Sequence, residues 1–168
     1  KSVADLAKWA EGKPIWLSWK LDGLTLVATY DNGKLSKVVT RGNGHIGTNI
    51  THLASAIEGI LPQIDNTGHI VIRGEAIISY TDFNVFNMEM GEEYANPRNL
   101  ASGSLTLKNI EAVKSRNIRW IPFTLVHSDE DIESWGSQMD FLEQLGFKTV
   151  EHEQIAHPTQ ESIDEVIQ

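Results

Sequence analysis

Apolar residues recur along this chain with two spacings, and the switches between them mark out its elements. Val3, Leu6, Ala7, Trp9 and Ala10 suit one side of a short helix, with Ser2 placed to cap it and Gly12 and Pro14 to end it. Residues 15–20 then read as an apolar strand and 24–30 as a second. Asp31, Asn32 and Gly33 supply hairpin-turn residues before a returning strand over 35–41. This arrangement predicts that Lys20 opens an antiparallel sheet, at the mouth of a turn made by Asp22 and Gly23. A helix is expected over 51–60, closed by Leu61-Pro62. A strand over 69–78 follows, in which Arg73-Gly74-Glu75 interrupts an otherwise buried pattern. Thr81 is expected to cap a helix through Met88, and 91–94 forms a polar connector. Strand 118–126, helix 132–145 ended by Gly146, strand 147–150 and a last helix capped by Thr159 complete the series.

Composition narrows the class. The 168 residues suit one domain or a large part of one, and 40% hydrophobic content is enough for a packed core. No apolar run approaches the ~20 residues of a membrane span, and the amino end lacks signal-peptide architecture, so a cytoplasmic setting is expected. Cysteine is absent, which excludes disulfides and cysteine-ligated zinc. The six histidines show no ligand spacing, and no metal ligands are assigned. The start at Lys1 and the stop inside an apparent helix suggest a piece of a longer protein.

The net charge of −9 argues against a free-standing nucleic-acid binder, but it is unevenly spread. Residues 1–126 hold 13 Lys/Arg against 12 Asp/Glu, whereas 127–168 hold one against 11. The chain therefore divides, on charge, into a near-neutral core and an acidic helix-and-strand segment. Arg98, Lys108, Lys114, Arg116 and Arg119 share a span whose single acid is Glu111, a band able to face a phosphate backbone or simply water.

Candidate chemistry begins at Lys20, flanked by Trp16, Leu17, Trp19, Leu21, Leu24 and Leu26. In apolar surroundings a lysine's charged form is disfavoured, so its pKa falls from about 10.4 and its amine becomes a nucleophile. Arg41, at a strand end, opens the glycine-rich run Gly42-Asn43-Gly44-His45-Ile46-Gly47, which lets backbone approach a ligand or is a plain flexible loop. The strand-breaking Arg73-Gly74-Glu75 marks either a functional site or an internal Arg73–Glu75 ion pair. Residues 95–105, rich in side-chain donors and small residues, suit an anion.

Taken in order, Lys20-Leu21-Asp22-Gly23, Thr40-Arg41-Gly42-Asn43-Gly44, Arg73-Gly74-Glu75 and Asn96-Pro97-Arg98-Asn99 resemble the NAD-dependent bacterial DNA ligases. The resemblance covers nearly the whole chain and lies in that family's adenylation (nucleotidyltransferase) domain. It implies an α+β fold of antiparallel sheets flanked by helices, with the nucleotide cleft between them. It further implies that Lys20 takes AMP from NAD, with Mg²⁺ offsetting charge, and passes it to nicked double-stranded DNA. Asp22 looks like the acid beside the nucleophile, Arg41 a nucleotide contact and Glu75 the carboxylate that meets the ribose. Ser18 stands where the family usually places an adenine-facing Glu. Asn96 and Arg98 look like contacts to the nicked strand. A monomer is expected.

Other departures are Asn43 for the usual Asp, Thr48 and Asn49 for acids, and Thr106 for an arginine. The later Asp-Gly-x-Val-x-Lys strand and the family's other modules are absent from these 168 residues. The chain alone is therefore expected to bind AMP or NAD weakly and not to seal nicks. Two rivals stay open: an ATP-dependent polynucleotide ligase or capping-type enzyme, and a non-catalytic DNA-binding remnant.

Overall fold

The computed structural model describes residues 2–42, 45–91 and 94–168. In chain order the elements are α1 (Val3–Ala10), β1 (Ile15–Ser18), β2 (Leu24–Asp31), β3 (Lys34–Thr40), a 3₁₀ turn (Thr51–Ala56) and β4 (His69–Ile77). After them come α2 (Tyr80–Met90), α3 (Pro97–Ser104), α4 (Ile110–Lys114), β5 (Arg119–His127), α5 (Trp135–Gln144), β6 (His152–Ile155) and α6 (Gln160–Ile167). The fold is α+β with antiparallel sheets and flanking helices, as expected.

The chain forms two compact units, one of residues Lys1–Lys20 with Val150–Gln168 and one of Leu21–Thr149. In the first, β1 pairs antiparallel with β6, matching Ile15 to Ile155 and Ser18 to His152. Ser2 caps α1 as expected: its side chain accepts from the Asp5 backbone N–H, and the Asp5 carboxylate accepts from the Ser2 N–H at 2.9 Å. Thr159 caps α6 by a similar reciprocal pair with Ser162. Ala10, Val150, Ile155 and Ile163 are its buried apolar residues.

The second unit is built on a four-stranded antiparallel sheet in the order β3-β2-β4-β5. Along β4 burial alternates strictly, with Ile70, Ile72, Gly74 and Ala76 turned to the core and Val71, Arg73, Glu75 and Ile77 to the half-covered face. Leu26, Ala28 and Tyr30 of β2 share the core side. Gly74 is therefore a packing residue: a Cβ there would sit 2.5 Å from the Trp120 indole, which is buried and donates from Nε1 to the Leu26 carbonyl at 3.1 Å. The Tyr30 hydroxyl donates to the Leu61 carbonyl at 2.6 Å, and burial pushes the phenol's pKa up, so it stays a donor.

Several expectations need correction. Lys20 does not open the large sheet, because β1 ends at Ser18 and its partner is β6, a strand the apolar pattern passes over since His152, Glu153 and Gln154 are polar. Residues 147–150, read as a strand, are outside regular structure, although Phe147 and Val150 are buried. The helix expected over 51–60 is a single 3₁₀ stretch, and Gly59, at φ +96°, packs against the Trp120 carbonyl. Ser79 rather than Thr81 caps α2, accepting from Asp82 N–H at 3.0 Å. The helices α3 and α4 were not anticipated; small and polar residues hide their period, though Asn96-Pro97 is a clear start signal.

At the far end of the sheet Asp31 accepts from His69 Nδ1 at 2.6 Å, and this bond, with a further one from Ser36, holds the Asp31 carboxyl below its ordinary range. A lowered carboxyl pKa contributes stability that is present above the unfolded value and lost as pH falls through the folded one. Thermal melts should therefore show Asp31→Asn losing less stability than the parent protein between neutral pH and about pH 3. Equal losses would dismiss the contribution. Because both side chains are about half exposed, the difference should be small.

Candidate active site

The site is assembled in the second unit from the start of β2, the middle of β4, the end of β3 and the first turn of α3. Its anchor is Glu75. Thr25, its register partner on β2, donates its hydroxyl to Glu75 Oε1 at 2.8 Å, and the Gly23 N–H donates to Oε2 at 3.1 Å. The carboxylate is thus fixed by two charge-assisted hydrogen bonds, and each oxygen keeps a lone pair for another donor. The internal Arg73–Glu75 pair does not form. Thr25 and the Gly23 amide are the partners that sequence reasoning missed; cross-strand register is the only signal for them.

Gly23 is required by space. Its position passes so close to β4 that a Cβ would lie 2.0 Å from the Ala76 carbonyl oxygen. Asp22, one residue earlier, is exposed and lies 3.8 Å from Arg98 of α3. Such an exposed, long pair is worth at most about 1 kcal/mol and is screened by salt, so either head group can turn to a ligand. Arg98 is on the first turn of α3, which Asn96 caps by accepting from the Asn99 N–H at 2.8 Å. The cap uses the Asn96 Oδ1 and leaves its amide nitrogen free to donate.

Arg41 joins this group through its backbone, donating to the Thr25 carbonyl at 3.2 Å, with its side chain exposed. The described ends of the loop that follows are tied together. Thr40 N–H donates to the Thr48 carbonyl and Thr48 N–H to the Thr40 hydroxyl, both at 2.9 Å. A Cβ on Gly47 would meet the Thr40 carbonyl at 2.0 Å, and one on Gly42 the Ile46 carbonyl. Both glycines let the two legs of the loop close. Asn43 and Gly44 lie outside the described residues.

The basic band expected between Arg98 and Arg119 is partly spent internally. Arg116 donates to the Ser104 hydroxyl at 2.9 Å and covers the Phe86 ring, while Arg119 lies 3.2 Å from Glu58.

Ser18 and Lys20 belong to the first unit. Ser18 lines, with Leu17, Trp19, Glu151, Val166 and Ile167, an open cavity of about 470 Å³. Lys20 is exposed, and so are Trp16 and Trp19, at 38% and 65%. The apolar cover that the flanking residues led one to expect is therefore missing. The reason is local: Lys20 lies two residues past the end of β1, where no paired strand encloses it.

A family model for the NAD-dependent DNA ligase adenylation domain matches residues 3–168. The chain belongs to this family. It is 41% identical to a DNA ligase of Lachnoclostridium phytofermentans over 90% of its own length and 24% of that protein. It shows the same identity to a DNA ligase of Ruminiclostridium cellulolyticum over 100% of this chain and 26% of the relative. A Clostridioides difficile DNA ligase is 33% identical over 90% of the chain. This adenylation domain thus spans about a quarter of the curated relatives it matches. No helix among its described residues is long and apolar enough to cross a membrane.

Proposed function

We propose that this adenylation domain carries the nucleotidyl transfer of an NAD-dependent DNA ligase. The neutral Lys20 amine attacks the α-phosphorus of NAD. A nitrogen–phosphorus bond forms as the bond to nicotinamide mononucleotide breaks, the amine proton leaves, and AMP stays on Lys20 as a phosphoramidate. AMP then passes to the 5′-phosphate at a nick, and the 3′-hydroxyl displaces it to seal the strand. The reading adds a cytoplasmic, monomeric protein.

The observation that carries this proposal is the fixed Glu75 carboxylate, in a chain whose motifs fall in the family's order. With one lone pair of each oxygen taken by Thr25 and Gly23, the remaining ones point a ready acceptor at the ribose hydroxyls. Arg41 meets the nucleotide, and Ser18 offers one hydroxyl towards the base. Arg98 and the free Asn96 amide take phosphates of the nicked strand, positioning it without reading its sequence.

Mg²⁺ fits this donor set only sparingly. Among the described residues there is no cluster of three acidic, His or Cys side chains suited to a metal. Among the described residues of this site, Asp22 has carboxylate oxygens that accept no hydrogen bond, its ion pair with Arg98 being 3.8 Å long. Such a site suits an ion held mostly by water and substrate phosphates, which would offset charge on the transferring group.

Intact-mass measurement tests the donor. A full-length protein carrying this chain, incubated separately with NAD and with ATP, should gain one AMP from NAD alone. A gain from ATP alone would replace this reading with the triphosphate-using rival. Retained DNA affinity with no adduct from either donor would favour the non-catalytic one.

A further inference from the structure

Arg73 lies one pleat along β4 from Glu75, on the same half-covered face. Its Nε is buried without a hydrogen bond, and among the described residues no carboxylate lies within ion-pair distance of it. The nearest candidate by sequence, Glu75, is turned to Gly23 and Thr25. On the flanking strands its register partners are Val27 and Thr124, neither of which can neutralise a cation.

A half-buried guanidinium without a counter-charge is costly, since burial strips water from an ion that keeps its proton in any protein setting. Natural sheets usually tolerate such a residue by pairing it. Here the Nε is buried, while the neighbouring carboxylate that could have matched the charge is bonded elsewhere. We infer that Arg73 is a preset anion subsite for a phosphate group, working beside the Glu75 ribose acceptor. Side chains two residues apart on a strand stand about 6.7 Å apart, so one nucleotide can reach both. The inference uses the proposed nucleotide reading only to say whose phosphate is bound; the anion site itself stands on the geometry of Arg73.

The test is a titration of the ¹⁵N-labelled protein with inorganic pyrophosphate, then with AMP, adenosine, and an oligonucleotide with and without a 5′-phosphate. The Arg73 Nε–H cross-peak, assigned by its loss in Arg73→Lys, is expected to shift on addition of pyrophosphate. Arg73→Met should weaken pyrophosphate binding about tenfold or more, and Arg73→Lys, which keeps the charge, by less. In the parent protein AMP should bind more tightly than adenosine, and Arg73→Met should remove that preference while leaving adenosine binding intact. If instead only the 5′-phosphorylated oligonucleotide shows the dependence on Arg73, the phosphate belongs to DNA. Pyrophosphate binding that depends on Arg73, in a protein that ignores adenosine, keeps the anion site and removes the nucleotide reading. An Nε–H peak that stays put with pyrophosphate, or equal binding by the parent and a folded Arg73→Met, overturns the inference. Should Arg73→Met fail to fold, the parent spectrum and Arg73→Lys decide.

Discussion

Lys20→Ala, made in a full-length protein that carries this chain, is expected to abolish the AMP adduct formed with NAD. The proposed intermediate is a nitrogen–phosphorus bond to this one amine, which alanine lacks. Lys20→Arg should fail equally, because a guanidinium keeps its proton and offers no free pair for attack. The loss should be complete within the sensitivity of intact-mass detection, with the melting temperature nearly unchanged. Lys20 is exposed and outside every strand and helix, so its removal empties no packed space. An adduct that persists in Lys20→Ala would place the nucleophile elsewhere and end the lysyl-AMP reading. The exposure of Lys20 also changes the argument for its chemistry. Apolar burial, on which its sequence neighbours first suggested reactivity, is not what the folded chain provides. Exposure does leave the amine open to an approaching phosphate.

Gly23→Ala should be the most damaging single-methyl change near the site. The added Cβ would fall 2.0 Å from the Ala76 carbonyl oxygen, a backbone atom within the sheet ladder that cannot swing aside as a side chain can. Relief needs a displacement of about 1 Å or more, which pulls the Gly23 N–H from Glu75 Oε2. Overpacking of this kind costs about 1–3 kcal/mol, and an unmatched carboxylate contact adds to it. At roughly 2–4 °C per kcal/mol for a chain of this size, the melting temperature should drop by about 5–10 °C. Adenylation should fall with it, since Glu75 loses one of the two bonds that aim it. The control is Gly12→Asn. Gly12, unlike Gly23, has a left-handed backbone, but nothing lies within 4 Å of its Cβ position and asparagine tolerates that conformation. It should melt close to the parent. Similar melting temperatures for the two variants would show that the close approach at Gly23 is not a constraint.

Much of the framework can be read from the chain because the signals are local. Ser2 and Thr159 cap the helices they were expected to cap, and the β2–β3 hairpin turns at Asn32-Gly33, both at positive φ. Strand β4 is legible from the apolar runs on either side of Arg73-Gly74-Glu75, and its alternation becomes clear only in the fold. What escaped was set by distant partners. Nothing in residues 15–18 says that their strand pairs with 152–155, some 137 residues away, and the polar β6 carries no apolar alternation to reveal it. The family's motifs were legible as residue types in order, yet the geometry of the candidate site was not. That Glu75 prefers Thr25 and the Gly23 amide to Arg73 follows from β2–β4 register, which the sequence does not print. The same is true of Lys20, whose apolar neighbours in sequence are not its cover in space.

The adjacency of Gly74 and Glu75 has one further consequence. These two residues look out of opposite sides of the same strand, one against the Trp120 indole and the other toward the proposed substrate. Packing and the proposed chemistry therefore alternate, residue by residue, along a single short strand. Substitutions at Gly74 and Ala76 should cost folded protein, whereas substitutions at Arg73 and Glu75 should spare the yield and weaken the proposed nucleotide binding.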